Sequence, residues 1–357
     1  MGIWRGNGTI NIENFRNEGT IKSNDKDGGV RFQGKVNINT FHNSGTIDGG
    51  DGSEGHGVYF KDIRVVKTFE NTGFISGRGD NSTNGGLYTG GGVVMSGGTI
   101  ETFKNSGTIQ STGQHNDPAG VKLNYATVNT FENIGLISGI NGFLTTKGTI
   151  ENFINRGIIE STSTGNGEAA IKIQTVNGKF STITHFTNEG TIKSDSNGVL
   201  IESGDKIGTL TNKGTIETKL NGISFFDSGD QGSPGEADLG KIILESGSSI
   251  KAEKKGINID NKAVRTLRAD GIEVKKGASV VGREAGIYLA KGKEITAPIT
   301  VSGTVSGGNA GIVNEGKMTK GIVHNGEAEL VISNQGLVDK GDDGNTVANN
   351  GSGSVRI

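Results

Sequence analysis

Phe15-Arg16-Asn17-Glu18-Gly19-Thr20-Ile21 is the stretch that decides the fold. Its pattern, Phe-x-Asn-x-Gly-x-Ile, returns at Phe41, Phe69, Phe103, Phe131, Phe153 and Phe186. A further copy at Leu210 keeps Asn212, Gly214 and Ile216 and replaces the ring. Successive copies start 26, 28, 34, 28, 22, 33 and 24 residues apart. Periods of this size are the mark of a solenoid, in which each repeat buries its apolar face only against its neighbours.

Working outward, a β-branched residue stands three places before each ring: Ile12, Ile38, Val66, Ile100, Val128, Ile150, Ile183, and Ile207 before Leu210. The residue directly before the ring is polar each time, as in Asn14, Thr40, Thr68 and His185. Opposite character at adjacent positions describes a strand with one dry and one wet face. The spacing of three between the two apolar positions breaks strict alternation and predicts a bend or bulge between them. Asn and Gly after the ring supply the permissive backbone of a corner, and the closing Ile starts a second short strand.

A second phrase follows, Gly-Val/Ile-x-apolar, as in Gly198-Val199-Leu200-Ile201, Gly222-Ile223-Ser224-Phe225 and Gly256-Ile257-Asn258-Ile259. Its β-branched residue comes seven after the closing Ile in the tightest coils (Ile192 to Val199) and as late as Ile75 to Val93 elsewhere. Strands of constant size with elastic connections mean loops inserted between coils.

The predicted fold class is therefore all-β: a right-handed parallel β-helix of about twelve coils with inserted loops, since parallel crossovers are right-handed almost without exception. The markers run through Ile21, Ile47, Ile75, Ile109, Ile137, Ile159, Ile192, Ile216, Ile250, Val280, Val305 and Val338. The Phe side chains should stack inside, with Asn17 to Asn212 forming an amide ladder at one corner. One body over 1–357 is expected, with Phe-rich coils over 8–240, aliphatic coils over 241–340 and a loose Gly/Asn/Asp-rich tail at 341–357. In the aliphatic part, Ile299-x-x-x-Gly303-x-Val305 and Ile332-Ser333-Asn334-Gln335-Gly336-Leu337-Val338 read as the same phrase with another filling.

Composition agrees with this. Hydrophobic residues are only 31%, but Gly adds 63 of 357, so the core is built from small, evenly spaced contributions. With 36 Lys+Arg against 38 Asp+Glu there is no basic field for nucleic acid. No apolar run is long enough for a membrane-spanning helix, and the absence of Cys excludes disulfides and thiolate sites.

Phe-x-Asn-x-Gly-Thr-Ile repeats alternating with Asn-Gly-Val or Ala-Gly-Ile resemble the passenger domains of autotransporters, the type V secreted proteins of Gram-negative bacteria. The resemblance covers roughly residues 8–340. It implies a surface-exposed or secreted rod whose signal peptide and outer-membrane barrel lie outside this stretch. Passengers of this family are mostly adhesins and aggregation factors, with some proteases, esterases and toxins. The expectation is an adhesin that meets a host cell-surface protein or glycan, or another copy of itself. The alternatives are a β-helical polysaccharide lyase or hydrolase, a vacuolating-toxin-like passenger, and a structural spacer.

No catalytic residue, metal ligand or cofactor site is expected. Asp227-Ser228-Gly229 with Gly232-Ser233-Pro234 nearby resembles a serine-protease nucleophile turn in the wrong order, and none of the five His has an evident partner. The acidic loops Asn24–Gly28, Asp48–Glu54 and Asp342–Gly344 lack a repeated calcium pattern. A glycan-cleaving enzyme would place like-charged carboxylates in register on adjacent coils. The columns alternate instead: Glu160, Lys193, Glu217, Lys251; Glu70, Lys104, Glu132; Arg156, Glu189, Lys213. The candidate binding residues are Arg78, Gly79 and Asp80, an Arg-Gly-Asp that resembles the integrin-binding tripeptide. They lie in the longest insertion, 76–92, beside Leu87-Tyr88.

Overall fold

A computed structural model describes residues 2–4, 8–23, 28–50, 55–78, 90–113, 118–176, 178–202, 204–226, 236–260 and 266–357. The chain forms two compact units, Met1–Gln174 and Thr175–Ile357. Each is a parallel β-helix of short strands, and no helix occurs among the described residues.

In the first unit the phrase builds two of the three strands of each coil. The ring strands, such as Val36–Asn43, Val65–Asn71 and Thr149–Asn155, pair in register so that Phe15, Phe41, Phe69, Phe103, Phe131 and Phe153 form one column. Their rings stack at centroid distances of 4.8, 4.8, 4.5, 4.6 and 4.8 Å. The expected bend is present. Asn39 and Thr40 both face outward between buried Ile38 and Phe41, and Lys67 and Thr68 repeat this. The closing residues Ile21, Ile47, Ile75, Ile109, Ile137 and Ile159 form a second column on short strands such as Thr46–Asp48. The second phrase supplies the third strand and fills the remaining space with Phe32 and Phe60, stacked at 5.6 Å and set edge-on to the ring column.

The corner carries the predicted ladder. Asn17 Nδ2 donates to Asn43 Oδ1 at 2.7 Å, and the chain of amides continues through Asn71, Asn105, Asn133 and Asn155 at 2.8, 2.8, 2.8 and 2.9 Å. Each amide also donates to the carbonyl of the Gly two residues on, as Asn71 does to Gly73 at 3.2 Å. Buried polar groups are thereby satisfied at every step. The Gly is required for a reason different from the expected backbone freedom. A Cβ on Gly73 would lie 2.1 Å from the Gly45 carbonyl oxygen, and one on Gly107 would lie 2.0 Å from that of Gly73. The corner is too close to its neighbour for any side chain.

A different corner, between the second-phrase strand and the ring strand, does need a left-handed residue. Gly34, Asp62, Gly97, Tyr125 and Lys147 occupy it on successive coils with φ of 90, 51, 81, 52 and 55°. Three of the five are not Gly, although L-residues pay roughly 1–2 kcal/mol there.

The second unit, taken by itself, has coils of the same kind with aliphatic filling. Phe186, Leu210, Ile242, Ile272, Ile299, Ile322 and Val347 share one column. The closing column runs Ile192, Ile216, Ile250, Val280, Val305 and stops there. Two expectations are corrected here. Ile332 pairs with Ile312, in the second-phrase column, and Val338 pairs with Met318, so Val338 is not a closing residue. After His324 the chain reaches the strand Leu330–Asn334 without a closing strand, and the phrase moves to the next corner. There Asn314 Nδ2 donates to Asn334 Oδ1 at 2.7 Å. The tail is not loose either: Val347–Asn349 pairs with Ile322–His324, and Val355–Arg356 with Leu330–Val331.

Candidate binding surface

Registered stacking turns single outward residues into rows. In the first unit Thr40, Thr68, Thr102 and Thr130 align on the ring strands. In the second, Thr191, Thr215, Ser249, Ser279 and Thr304 align on the closing strands. Next to that hydroxyl row stand Lys193, Glu217 and Lys251, with Lys251 Nζ 3.9 Å from Glu217. Two residues further on, just past the ends of strands Thr191–Ser194 and Thr215–Thr218, the signs invert, and Lys219 meets Asp195 at 2.7 Å. The two charge columns thus run in antiphase and border a depression of about 370 Å³ that Arg283 also lines.

The alternating columns read from sequence are present within each unit. Lys213 lies 3.1 Å from Glu189, Glu132 pairs with Arg156, and Lys104 stands in register with Glu132. His42 finds a partner the sequence did not suggest, Glu70 at 3.1 Å. These exposed pairs fix side chains more than they stabilise the fold, each worth about 0–1 kcal/mol.

Of the Arg-Gly-Asp, Arg78 is exposed at the end of strand Phe74–Gly77, and its backbone N–H donates to the Gly55 carbonyl at 2.7 Å. Gly79 and Asp80, with Leu87-Tyr88, lie outside the described residues. So do Asp227-Ser228-Gly229, Gly232-Ser233-Pro234, and the acidic loops at 24–27 and 51–54. The acidic loop at 342–344 is a turn. Asp343 Oδ1 accepts the Asn345 N–H at 2.9 Å, which lowers its pKa, and Asp342 meets Lys320 at 2.6 Å. Among the described residues no group of three or more His, Asp or Glu is placed to hold a metal. None of the helices required for a membrane span is present there either.

Two buried features escaped the sequence reading. His56 is fully buried, and burial, followed by Lys122 and Arg31, holds its pKa down at about 3. Its ring packs 4.5 Å from that of Tyr59, a neutral imidazole used as a core residue. The other is a carboxylate pair, Glu202 and Asp205, 1% and 0% exposed. Asp205 Oδ1 accepts the Ser181 N–H at 2.6 Å, and Glu202 Oε2 accepts the Thr175 N–H at 3.3 Å. The two acids therefore pin both ends of the 175–181 segment. Burial pushes Asp205 well above the usual carboxylate range and the Glu202 charge adds to this, while bonds from Ser181 and Thr175 pull the other way. The Asp205 N–H also donates to the Glu202 carbonyl at 3.2 Å, so the two acids are close in the chain and a search for like charges on adjacent coils passes over them. Their only signal is two acids flanking a Gly.

Comparison of the chain with family models, with curated proteins and with solved structures gives no match in any of the three.

Proposed function

We propose that the chain is part of a cell-surface or secreted passenger of the autotransporter kind and that it acts as an adhesin. One observation carries this reading: both units present outward rows of hydroxyls, amides and alternating charges in strand register. A surface of that kind suits many weak polar contacts spread over several coils, with a host-cell protein or glycan or with another copy. Catalysis is not part of the reading. A glycan-cleaving centre needs paired carboxylates that a polymer can reach, and Glu202 and Asp205 are closed to it at 1% and 0% exposure.

Labelled protein is applied to host cells, and its self-association is followed by sedimentation. Saturable attachment, or mass that grows with concentration, is the expected outcome. Failure of both leaves a spacer, vesicle leakage would favour a toxin-like passenger, and turnover of a polysaccharide would favour a lyase or hydrolase.

A further inference from the structure

One face of the second unit carries both signs of charge in an order that its own chain does not use up. The column Lys193, Glu217, Lys251 ends on Val281, an apolar side chain 38% exposed. The neighbouring column is Asp195, Lys219, Glu253 and Arg283. One repeated bond keeps it level: the N–H groups of Lys219, Glu253 and Arg283 donate to the carbonyls of Ser194, Thr218 and Ala252 at 3.0, 3.0 and 3.1 Å. Ser194, Thr218 and Ala252 also floor the depression between the columns, and being small they let another surface come close. Lys219 and Lys251 reach their own carboxylates, with side chains still 57% and 74% open to solvent. Lys193, Glu253 and Arg283 make no ion pair among the described residues.

We infer that this face docks on the same face of a second copy of the chain, across a two-fold axis. The inference names the partner in the adhesive reading and rests on that reading. In a two-fold contact one patch serves both copies, and every pairing occurs twice. An axis running along the columns, between them, sets Lys193 against the partner's Asp195, Glu217 against the partner's Lys219 and Lys251 against the partner's Glu253. All three pairs are opposite in sign because the columns run in antiphase. Columns in phase would set like on like. An axis across the columns, midway between the Glu217 and Lys251 strands, is the other solution. It joins Glu217 to the partner's Lys251, Lys219 to the partner's Glu253 and Asp195 to the partner's Arg283. A displacement of one strand, about 4.8 Å, brings like charges together in either orientation, so the pattern selects register as well as partner. The patch spans four strands, about 14 Å, which is small for a stable dimer. The contact is therefore weak and salt-sensitive, and it gains strength where many copies stand side by side.

Sedimentation equilibrium of the whole chain in dilute buffer and at about 1 M salt tests this. Self-association is expected in dilute buffer, with a constant at least about tenfold lower at high salt. Lys219→Glu, Glu217→Lys and Glu253→Lys each set like charges across the axis in both orientations. Each alone should associate at least about tenfold more weakly than the parent. Equimolar mixtures then read the geometry. Lys219→Glu with Glu217→Lys restores every pair if the axis runs along the columns, and Lys219→Glu with Glu253→Lys does so if it runs across them. Recovery in one of the two mixtures is the expected result, and only folded chains can give it. A parent that stays monomeric, variants that associate within about twofold of it, or no recovery in either mixture overturns the inference. Attachment to host cells, measured alongside, separates that failure from failure of the adhesive reading. A parent that attaches without self-associating sinks the docking face alone, and loss of that attachment in Lys219→Glu would give the face to a host molecule instead. A parent that does neither sinks the reading beneath it.

Discussion

The two units solve one cross-section in two ways. In the first, the ring column is Phe throughout, and each corner after it is Asn-x-Gly, two residues between strands, closed by the amide ladder. In the second, beyond Asn212, the column becomes Ile and the ladder position becomes Leu244 and then Val274. Without the amide, the corner lengthens to Glu245–Ser248 and Lys275–Ala278. Ser248 N–H then donates to Glu245 O at 3.0 Å and Ala278 N–H to Lys275 O at 2.9 Å. Gly247 and Gly277 take the positive φ, 82 and 81°, that such turns need at their third residue. The difference teaches that the amide is one of several ways to close this corner: after Leu244 and Val274 the backbone bonds to itself, whereas after Val301 the two-residue corner Ser302-Gly303 returns without an Asn, both N–H groups donating to the Val274 carbonyl at 2.7 and 3.0 Å.

The sharpest way to break this comparison is to hollow out the aromatic column. Phe131→Ala removes a ring stacked on Phe103 and Phe153 and edge-on to Phe143 at 4.9 Å. It should cost ~3–5 kcal/mol, whereas Ile272→Val in the aliphatic column should cost ~0.5–1.5 kcal/mol. Denaturant midpoints at constant m-value give both numbers. A Phe131→Ala protein as stable as its parent would mean that the ring contributes nothing to the core.

Next in size is the ladder. Asn105 accepts from Asn71 and donates to Asn133, so Asn105→Leu strands an amide on each side and should cost ~1–3 kcal/mol. Asn212 accepts from Asn188 only, and its other neighbour in the column is Leu244. Asn212→Leu extends the aliphatic column by one coil and should cost less. Equal losses at the two sites would show that the amides act singly and not as a chain.

How much of this was legible in the sequence depends on whether a residue's role repeats. Phe, Asn, Gly and Ile recur at fixed offsets because stacking makes each coil the environment of the next, so the columns and the ladder could be read directly. The phrase at Ile332–Val338 has the right letters but does not encode which corner it occupies. That depends on the closing strand missing after His324, a matter of chain length between strands. The left-handed row could not be read at all, because Gly34, Asp62, Gly97, Tyr125 and Lys147 share a backbone angle and no chemistry. Burial of Asp205 depends on where the 175–181 segment folds, which no local pattern states. Of the predicted binding residues only Arg78 falls within the described chain.

The Glu202–Asp205 pair, confined to the second unit, gives a pH dependence with a definite sign. In the unfolded chain Asp205 titrates near the usual value of about 3.9. In the folded chain burial raises it, so the native state holds the extra proton between those two values. The associated stability is complete below about pH 4 and is lost as pH rises through the folded value. Asp205→Asn carries no titrating proton, so the difference between parent and variant should change in that window. Midpoints measured from pH 4 to 9 check it. Parallel curves would mean that Asp205 ionises without cost.

The smallest effect expected is in the charge column that passes through the ladder corner, where Glu189, Lys213, Glu245 and Lys275 alternate in sign on successive coils. Lys213 Nζ lies 3.1 Å from Glu189, with about half of its side chain open to water. Solvent weakens such a pair, so Lys213→Ala should cost only ~0.2–1 kcal/mol. The Debye length shrinks to about 3 Å at 1 M salt, so most of that cost should vanish there. Lys213→Glu is the more telling variant. It sets three carboxylates on consecutive strands about 4.8 Å apart, where like charges directly opposite are destabilising. Its cost should exceed that of Lys213→Ala at low salt and converge on it at high salt. Should the two variants cost the same in dilute buffer, the alternation of signs along the coils does not contribute to holding them in register, and its place is in recognition at the outer surface.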